Sequence, residues 1–395
     1  MADLRESTLT QASWSTLVAS AIDLRHDLHR HPELAWQEQR TASVIRERLS
    51  AAGIAWRVCA DTGTVATLAP DATGTPIALR ADIDALPIVE ATDVAHVSTH
   101  TGCMHACGHD GHTATLFAAI WWLKQHEAQL PGPVTLVFQP AEEGGHGARE
   151  MIQDGSLDGV ARIYGWHNWP AIPFGKAVCP DGAVMAANGT FHIDLLGKGG
   201  HASQPEACRD PVLAASAVTL ALQQIVARHL PPQEAAVVSV TSIDARSADT
   251  VIPDTARLSG SIRIAHDGLR EKVQSLIASI ADDTARAYGV TATPTFLPRY
   301  GATINHTDAA ADYRVALAEE FGPAWHSDAT PVPIMASEDF SYYLNEIPGA
   351  YALVGADDGQ GHDLPCHSPR YDFNDKLIRH MGRVYARLAG APIPE

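Results

Sequence analysis

The sequence predicts an α/β fold in which a sheet packed between helices is interrupted by an inserted α+β unit. Three observations carry this. Strand-like and helix-like segments alternate over residues 1–186, the habit of a sheet covered by helices. Over 187–298 the order changes to β-α-β-β-α-β, the ferredoxin-like split motif. Over 299–395 the chain returns to the mixed pattern, as expected if one domain is completed after an insertion.

Each element has its own warrant. Residues 21–50 read as helical, broken at His31-Pro32 because proline disfavours helix at the residue before it. Residues 65–68, 76–80, 134–139 and 162–166 are short apolar runs with strand character. The run 134–139 stops at Pro140, and 113–125 is an apolar helix. In the insertion, strands are expected at 189–196, 235–243, 256–264 and 291–297, with helices at 210–229 and 269–288. Residues 351–354 supply a strand after it.

Composition excludes several classes. With 395 residues, 46% hydrophobic and 19% charged, the chain can bury one large core or two, and disorder is not its expected state. A formal net charge of −18 repels phosphate backbones, so nucleic acid is not an expected partner. Residues 1–20 carry Asp3, Arg5 and Glu6 before any apolar stretch, unlike a signal peptide. No run is expected to reach the ~18 apolar residues that span a membrane, and a cytoplasmic location is expected. The cysteines Cys59, Cys103, Cys107, Cys179, Cys208 and Cys366 are sparse and read as free thiols, Cys107 apart.

The densest chemistry is His105-Ala106-Cys107-Gly108-His109-Asp110-Gly111-His112. Thiolate and imidazole suit zinc and similar metals; the plainer reading is a polar loop before the 113–125 helix. Gln139-Pro140-Ala141-Glu142-Glu143-Gly144 follows a buried strand, where sites of open α/β sheets lie. Paired carboxylates there can divide metal binding from proton transfer, although Glu-Glu alone is more often an exposed turn. His167, between Trp166 and Trp169, and His367, after Cys366, are unremarkable singly. Gly197-Lys198-Gly199-Gly200-His201-Ala202-Ser203 is either a flexible turn or a close approach to a ligand.

Together with 24–34, 79–87 and 335–340, these segments resemble the M20 family of metallopeptidases, in particular its aminoacylase-like subgroup of hippurate hydrolases and auxin-conjugate amidohydrolases. The resemblance implies a catalytic α/β/α domain with a mixed central sheet and a ferredoxin-like lid or dimerisation domain. It implies metal-dependent hydrolysis of the amide bond of N-acyl amino acids, with two divalent ions per subunit (Zn, Mn, Ni or Co) and a homodimer or dimer-based oligomer. By the same resemblance, Cys107, His109, Glu143, His167 and His367 fall on metal positions, Glu142 on the general base, His201 on a histidine offered to the substrate, and Arg263 on a contact to its carboxylate.

Two departures stand out. Thr250 occupies a position where related enzymes carry asparagine, and a hydroxyl reaches less far than an amide. Arg80 stands where many other branches of the family carry a metal-binding histidine; a guanidinium cannot ligate a cation, so Asp82 is left to orient a neighbour. Alternative readings are a dipeptidase or aminopeptidase of the same fold, or an inactive metal- or ligand-binding protein. A retained Glu142 speaks against the last.

Overall fold

The structure, a computed structural model, describes residues 11–395; the expectation made on Asp3, Arg5 and Glu6 lies outside the described residues. The chain forms two compact units. The first holds residues up to Val184, Ile304–Pro331 and Asp339–Glu395; the second holds Met185–Thr303 and Val332–Glu338.

The first unit is built on a seven-stranded sheet in the order Trp56–Cys59, Gly63–Leu68, Val134–Gln139, Ile77–Asp82, Arg162–Pro173, Gly349–Asp357, Ala177–Val178. It is mixed. Ile77–Asp82 runs parallel to Val134–Gln139 and to Arg162–Pro173, which runs parallel to Gly349–Asp357. The outer pairs are antiparallel. Every residue of Val134–Gln139 and of Ile77–Asp82 is buried, as expected of strands covered on both faces.

Helices Trp14–Arg30, His109–Gln125 and Lys376–Leu388 pack against one another and share one apolar core with the sheet, including Leu24, Phe117, Phe138 and Met381. Helix Trp14–Arg30 starts at Ser13, whose hydroxyl accepts from Thr16 N, a side-chain cap for an otherwise orphan donor. It ends at His31, as the following proline requires.

Two local expectations are corrected. The helix expected from residue 113 begins at His109, because Gly108 takes a left-handed φ of +92° and acts as its N-cap. Asp110 then falls in the first turn, where the helix dipole favours an anion. The strand expected over 162–166 continues to Pro173, so His167 lies within a strand and not at its end.

The second unit is a four-stranded antiparallel sheet, Ala236–Asp244, Thr255–Ile264, Ala187–Leu196, Thr291–Pro298, with helices Pro211–Leu222 and Arg270–Ala287 on it. Its core is separate and includes Phe191, Leu222, Leu258 and Ile277. Asp210 caps the first helix by accepting from Val212 N and Leu213 N. The helical run Pro211–His229, 19 residues with a mean hydropathy of 1.3, is long and apolar enough to cross a membrane by length and composition. The expectation that no run reaches that length is therefore corrected: its alanines, leucines and valines outweigh Ser216, Thr219, Gln223 and Gln224. In the fold, Ala214, Ala215, Val218 and Leu222 are buried, while Leu213 and Leu220 are exposed.

Candidate metal centre

The C-terminal ends of the parallel strands bring the site together, as expected for an open α/β sheet. Beyond Gln139 the chain turns at Ala141, whose φ is +53°. This left-handed turn lets Glu142 and Glu143 leave strand geometry, in which neighbours would point to opposite faces. His367 also has a left-handed φ, +68°. Strained backbone of this kind persists where the surroundings over-determine it.

Potential ligand atoms fall into groups in which all members lie within 4.8 Å of one another. One is Cys107, His109 and His167; another is Cys107, Glu143 and His367; a third is His109, Glu142 and Glu143. All six of these sequence-predicted residues are thus brought together in the first unit. His201 and Arg263 belong to the second.

The hydrogen bonds fix how each histidine presents itself. His109 Nδ1 lies 2.9 Å from the Asp84 carbonyl oxygen and 3.2 Å from its carboxylate. His167 Nδ1 lies 2.7 Å from the Asn168 carbonyl oxygen. A ring nitrogen facing a carbonyl must carry the proton, so in each neutral ring Nε2 keeps its lone pair. His167 Nε2 is 3.3 Å from Cys107 Sγ. His109 Nε2 and Glu143 Oε1 are buried and make no hydrogen bond among the described residues, although Glu143 Oε1 lies 3.1 Å from His367 Nε2. A buried imidazole nitrogen with no hydrogen bond among the described residues, beside a carboxylate and a thiol whose neighbours are themselves histidines, fits a divalent cation.

The electrostatics point the same way. Burial alone would lower the His109 pKa, but Asp82, Asp84 and Glu143 outweigh it and raise it to about 10. Surroundings that favour a proton on that ring equally favour a cation. His167 is pushed well down by burial and by His112 and His109, which keeps it in the neutral form that an imidazole needs in order to ligate. The Cys107 thiol is pushed up by its contact with Cys366, by burial and by Glu143, so ionisation there awaits a cation.

A further group, Asp82, His109 and His112, has less to offer. His112 Nδ1 is 2.6 Å from Asp82 Oδ1 and its Nε2 is 2.8 Å from Asn168 Oδ1, so both ring nitrogens are occupied. Asp82 is also bound by Arg80, which reaches Gln139 and Asp339 as well. Burial would raise the Asp82 pKa, but Arg80, His109 and His112 hold it well below the usual carboxylate range. Glu142 is buried, and its Oε1 accepts from Asp339 N at 3.2 Å.

Asp84, Asn168 and Asp339 were not singled out from the sequence. Arg80, Asp82 and Asp84 recur at every second residue, a one-face pattern that marks Asp84 in retrospect. Asn168 and Asp339 left no comparable signal.

In the second unit, His201 is exposed and Val251 pairs with it. Its Nδ1 accepts from Ser203 N at 3.1 Å, which leaves the proton of the neutral ring on Nε2. Thr250 accepts from Ala202 N through its carbonyl oxygen. Arg263 is half-buried and donates to Ser337 Oγ at 2.8 Å.

Comparison with known proteins identifies the family. The model for peptidase family M20/M25/M40 matches residues 78–391. The chain is 38% identical over 374 residues to the IAA-amino acid hydrolase ILR1-like 2 of Arabidopsis thaliana, covering 93% of this chain and 84% of that one. It is 38% identical over 372 residues to the N-acetyl-L-cysteine deacetylase of Bacillus subtilis, covering 92% and 86%. A crystal structure from Bacillus subtilis, described as a dinuclear metal binding peptidase from the M20 family, superposes with a TM-score of 0.81 at 32% identity and covers 95% of this chain and 98% of that one. A family model spanning most of the chain and relatives this similar over nearly all of it establish that the chain belongs to peptidase family M20/M25/M40.

Proposed function

We propose that this protein hydrolyses the amide bond of N-acyl amino acids, using divalent cations held by Cys107, His109, Glu143, His167 and His367. The observation that carries the proposal is the pair of imidazoles, His109 and His167, each tied through Nδ1 to a backbone carbonyl and grouped with the same Cys107 sulfur. The two triads that share Cys107 support two adjoining cation positions. Names of relatives support the substrate class: one is an N-acetyl-L-cysteine deacetylase and another an IAA-amino acid hydrolase.

A divalent cation supplies two things in such chemistry, a lowered pKa for water and polarisation of a carbonyl. The remaining steps belong to the chain. Glu142, buried beside the ligand set, takes the proton from the attacking water and hands it to the leaving amine. Its hydrogen bond from Asp339 N orients the carboxylate. Asp84 and Asn168 keep His109 and His167 in the ligating tautomer. We assign His201, with its proton on Nε2, to the carbonyl oxygen of the substrate, and Arg263, whose planar fork suits a carboxylate, to the free carboxylate of the amino acid. Both assignments rest on the sequence resemblance.

The deciding experiment is a panel of N-acyl amino acids and dipeptides, assayed after chelation and again after each divalent metal is added back. Metal-restored cleavage of acyl amino acids with slow dipeptides is expected. Preference for dipeptides would replace the substrate class. Stoichiometric metal binding with no cleavage of either would refute the enzymatic reading.

A further inference from the structure

Cys366 is a half-buried thiol that the proposed reaction does not use. It lies in the corner of the fold that holds the buried Cys107. Several contacts fix that placement. The peptide joining Cys366 to His367 donates through His367 N to the Ala106 carbonyl oxygen at 2.7 Å. That carbonyl belongs to the peptide joining Ala106 to Cys107, so the backbones at the two cysteines adjoin. Asn168 Nδ2 lies 3.8 Å from Cys366 Sγ and 2.7 Å from the Tyr371 hydroxyl, while the adjacent His167 touches Cys107 Sγ at 3.3 Å. Gly108 is pressed into the same corner: a Cβ there would come within 2.3 Å of Asn168 Oδ1 and 2.6 Å of the Tyr371 oxygen.

We propose that Cys107 and Cys366 form a reversible dithiol–disulfide pair that reacts with hydroperoxides and, when closed, withdraws the Cys107 sulfur from the metal centre. The fold, and no local pattern, brings Cys366 to Cys107. Cys366, the more accessible sulfur, attacks the peroxide oxygen, giving a sulfenic acid and releasing one water or alcohol. Cys107 Sγ then attacks the sulfenyl sulfur, forming the S–S bond and expelling water. In sum, two thiols and one hydroperoxide yield one disulfide, one water and one alcohol (a second water for hydrogen peroxide). A resolving partner also keeps Cys107 from the irreversible sulfinic stage. Cys59, Cys179 and Cys208 are buried elsewhere, beside Met151, Asn305 and Gln204 respectively.

The switch, though not the cross-link, rests on the reading of Cys107 as a ligand, and the test separates the two. Purified protein is treated with hydrogen peroxide, its thiols are counted, and its peptides are mapped without reduction. Cobalt(II) binding is followed by the thiolate-to-metal absorption before oxidation, after it, and after adding a thiol reductant. The expected result is a loss of two thiols per chain, a Cys107–Cys366 peptide, at least tenfold weaker cobalt binding, and full recovery on reduction. In Cys366→Ala, cobalt binds as in wild type before treatment, but recovery is incomplete because Cys107 has no resolving partner. Absence of the cross-linked peptide, a bridge to Cys103 instead, or equal recovery in Cys366→Ala and wild type would overturn the proposal. A cross-link that leaves cobalt binding intact would overturn the switch. An untreated protein that binds cobalt without the thiolate absorption would refute Cys107 as a ligand while leaving the mapping to decide the cross-link.

Discussion

Arg25 offers a measurable account of what holds the histidine-rich helix start in place. Its guanidinium is buried, with Nε 3.1 Å from Asp110 Oδ2, Nη2 3.0 Å from Asp372 and Nη1 3.5 Å from Asp375. Asp110 is fully buried and also bonds His29 Nδ1 at 2.8 Å. Burial would raise the Asp110 pKa, but Arg25 and His29 keep it far below the usual carboxylate range. Arg25→Met keeps much of the side chain's volume and removes its charge, leaving an acid in the core with only a histidine to answer it. Breaking one partner of a buried pair costs about 3–5 kcal/mol, against at most about 1 kcal/mol for an exposed pair. Asp110→Asn should cost a similar amount, and the double variant should recover part of it, since neither charge is then stranded. The assay is urea unfolding read by tryptophan fluorescence. All 8 tryptophans lie in the first unit, so the signal reports that unit alone. An Arg25→Met cost below about 1 kcal/mol, or a double variant no better than the sum of the singles, would refute the argument.

Further outcomes follow from the site. Glu142→Gln keeps the hydrogen bond from Asp339 N and should retain metal by elemental analysis, while kcat falls by about 10²–10⁴-fold; near-normal turnover removes Glu142 as the base. Asp84→Asn loosens His109 and should weaken metal affinity by about 10–100-fold, measured by competition with a chromophoric chelator. Metal-free protein should lose stability as pH rises. The His109 pKa is raised to about 10, so its contribution is complete below the unfolded value of about 6.5 and gone above the folded one; denaturation midpoints across that window check it, and metal-loaded protein should lack the trend. Glu38, pushed up to about 7 by burial and by Asp84, should likewise cost stability as pH rises from about 4.5 to about 7. Glu38→Gln should flatten that decline.

Much of the fold was legible because it is written in local pattern. The 134–139 run, with Val134, Leu136, Val137 and Phe138 closed by Pro140, reads as a covered strand, and the alternation in the second unit carries its β-α-β-β-α-β order. The longest strand runs past the expected 162–166 to Pro173 although it holds Pro170 and Pro173, residues that seldom sit inside a sheet. The structure admits them because pairing of Arg162–Pro173 with Ile77–Asp82 stops at Tyr164, leaving an edge that needs no donor. Helices Thr307–Phe321 and Lys376–Leu388 were not assigned. At the site, the ligand set was legible through resemblance, and the histidine cluster through density alone. What holds it was not. Arg25 meets Asp372 across 347 positions, and Gln139 meets Asp339 across 200, and no local pattern encodes such pairings.

The place of Gly349–Asp357 in the sheet bears on how this protein is made. That strand sits between Arg162–Pro173 and Ala177–Val178, yet the ribosome delivers it only after the whole of Met185–Thr303. Until then Arg162–Pro173, which carries His167, presents an unpaired edge, a template for mispairing with other chains. Met185–Thr303 emerges as one continuous stretch holding all four strands of its own sheet, so it can fold while the older unit waits. Nascent chains stalled after residue 303 should therefore expose the first unit to holding chaperones while protecting the second from protease.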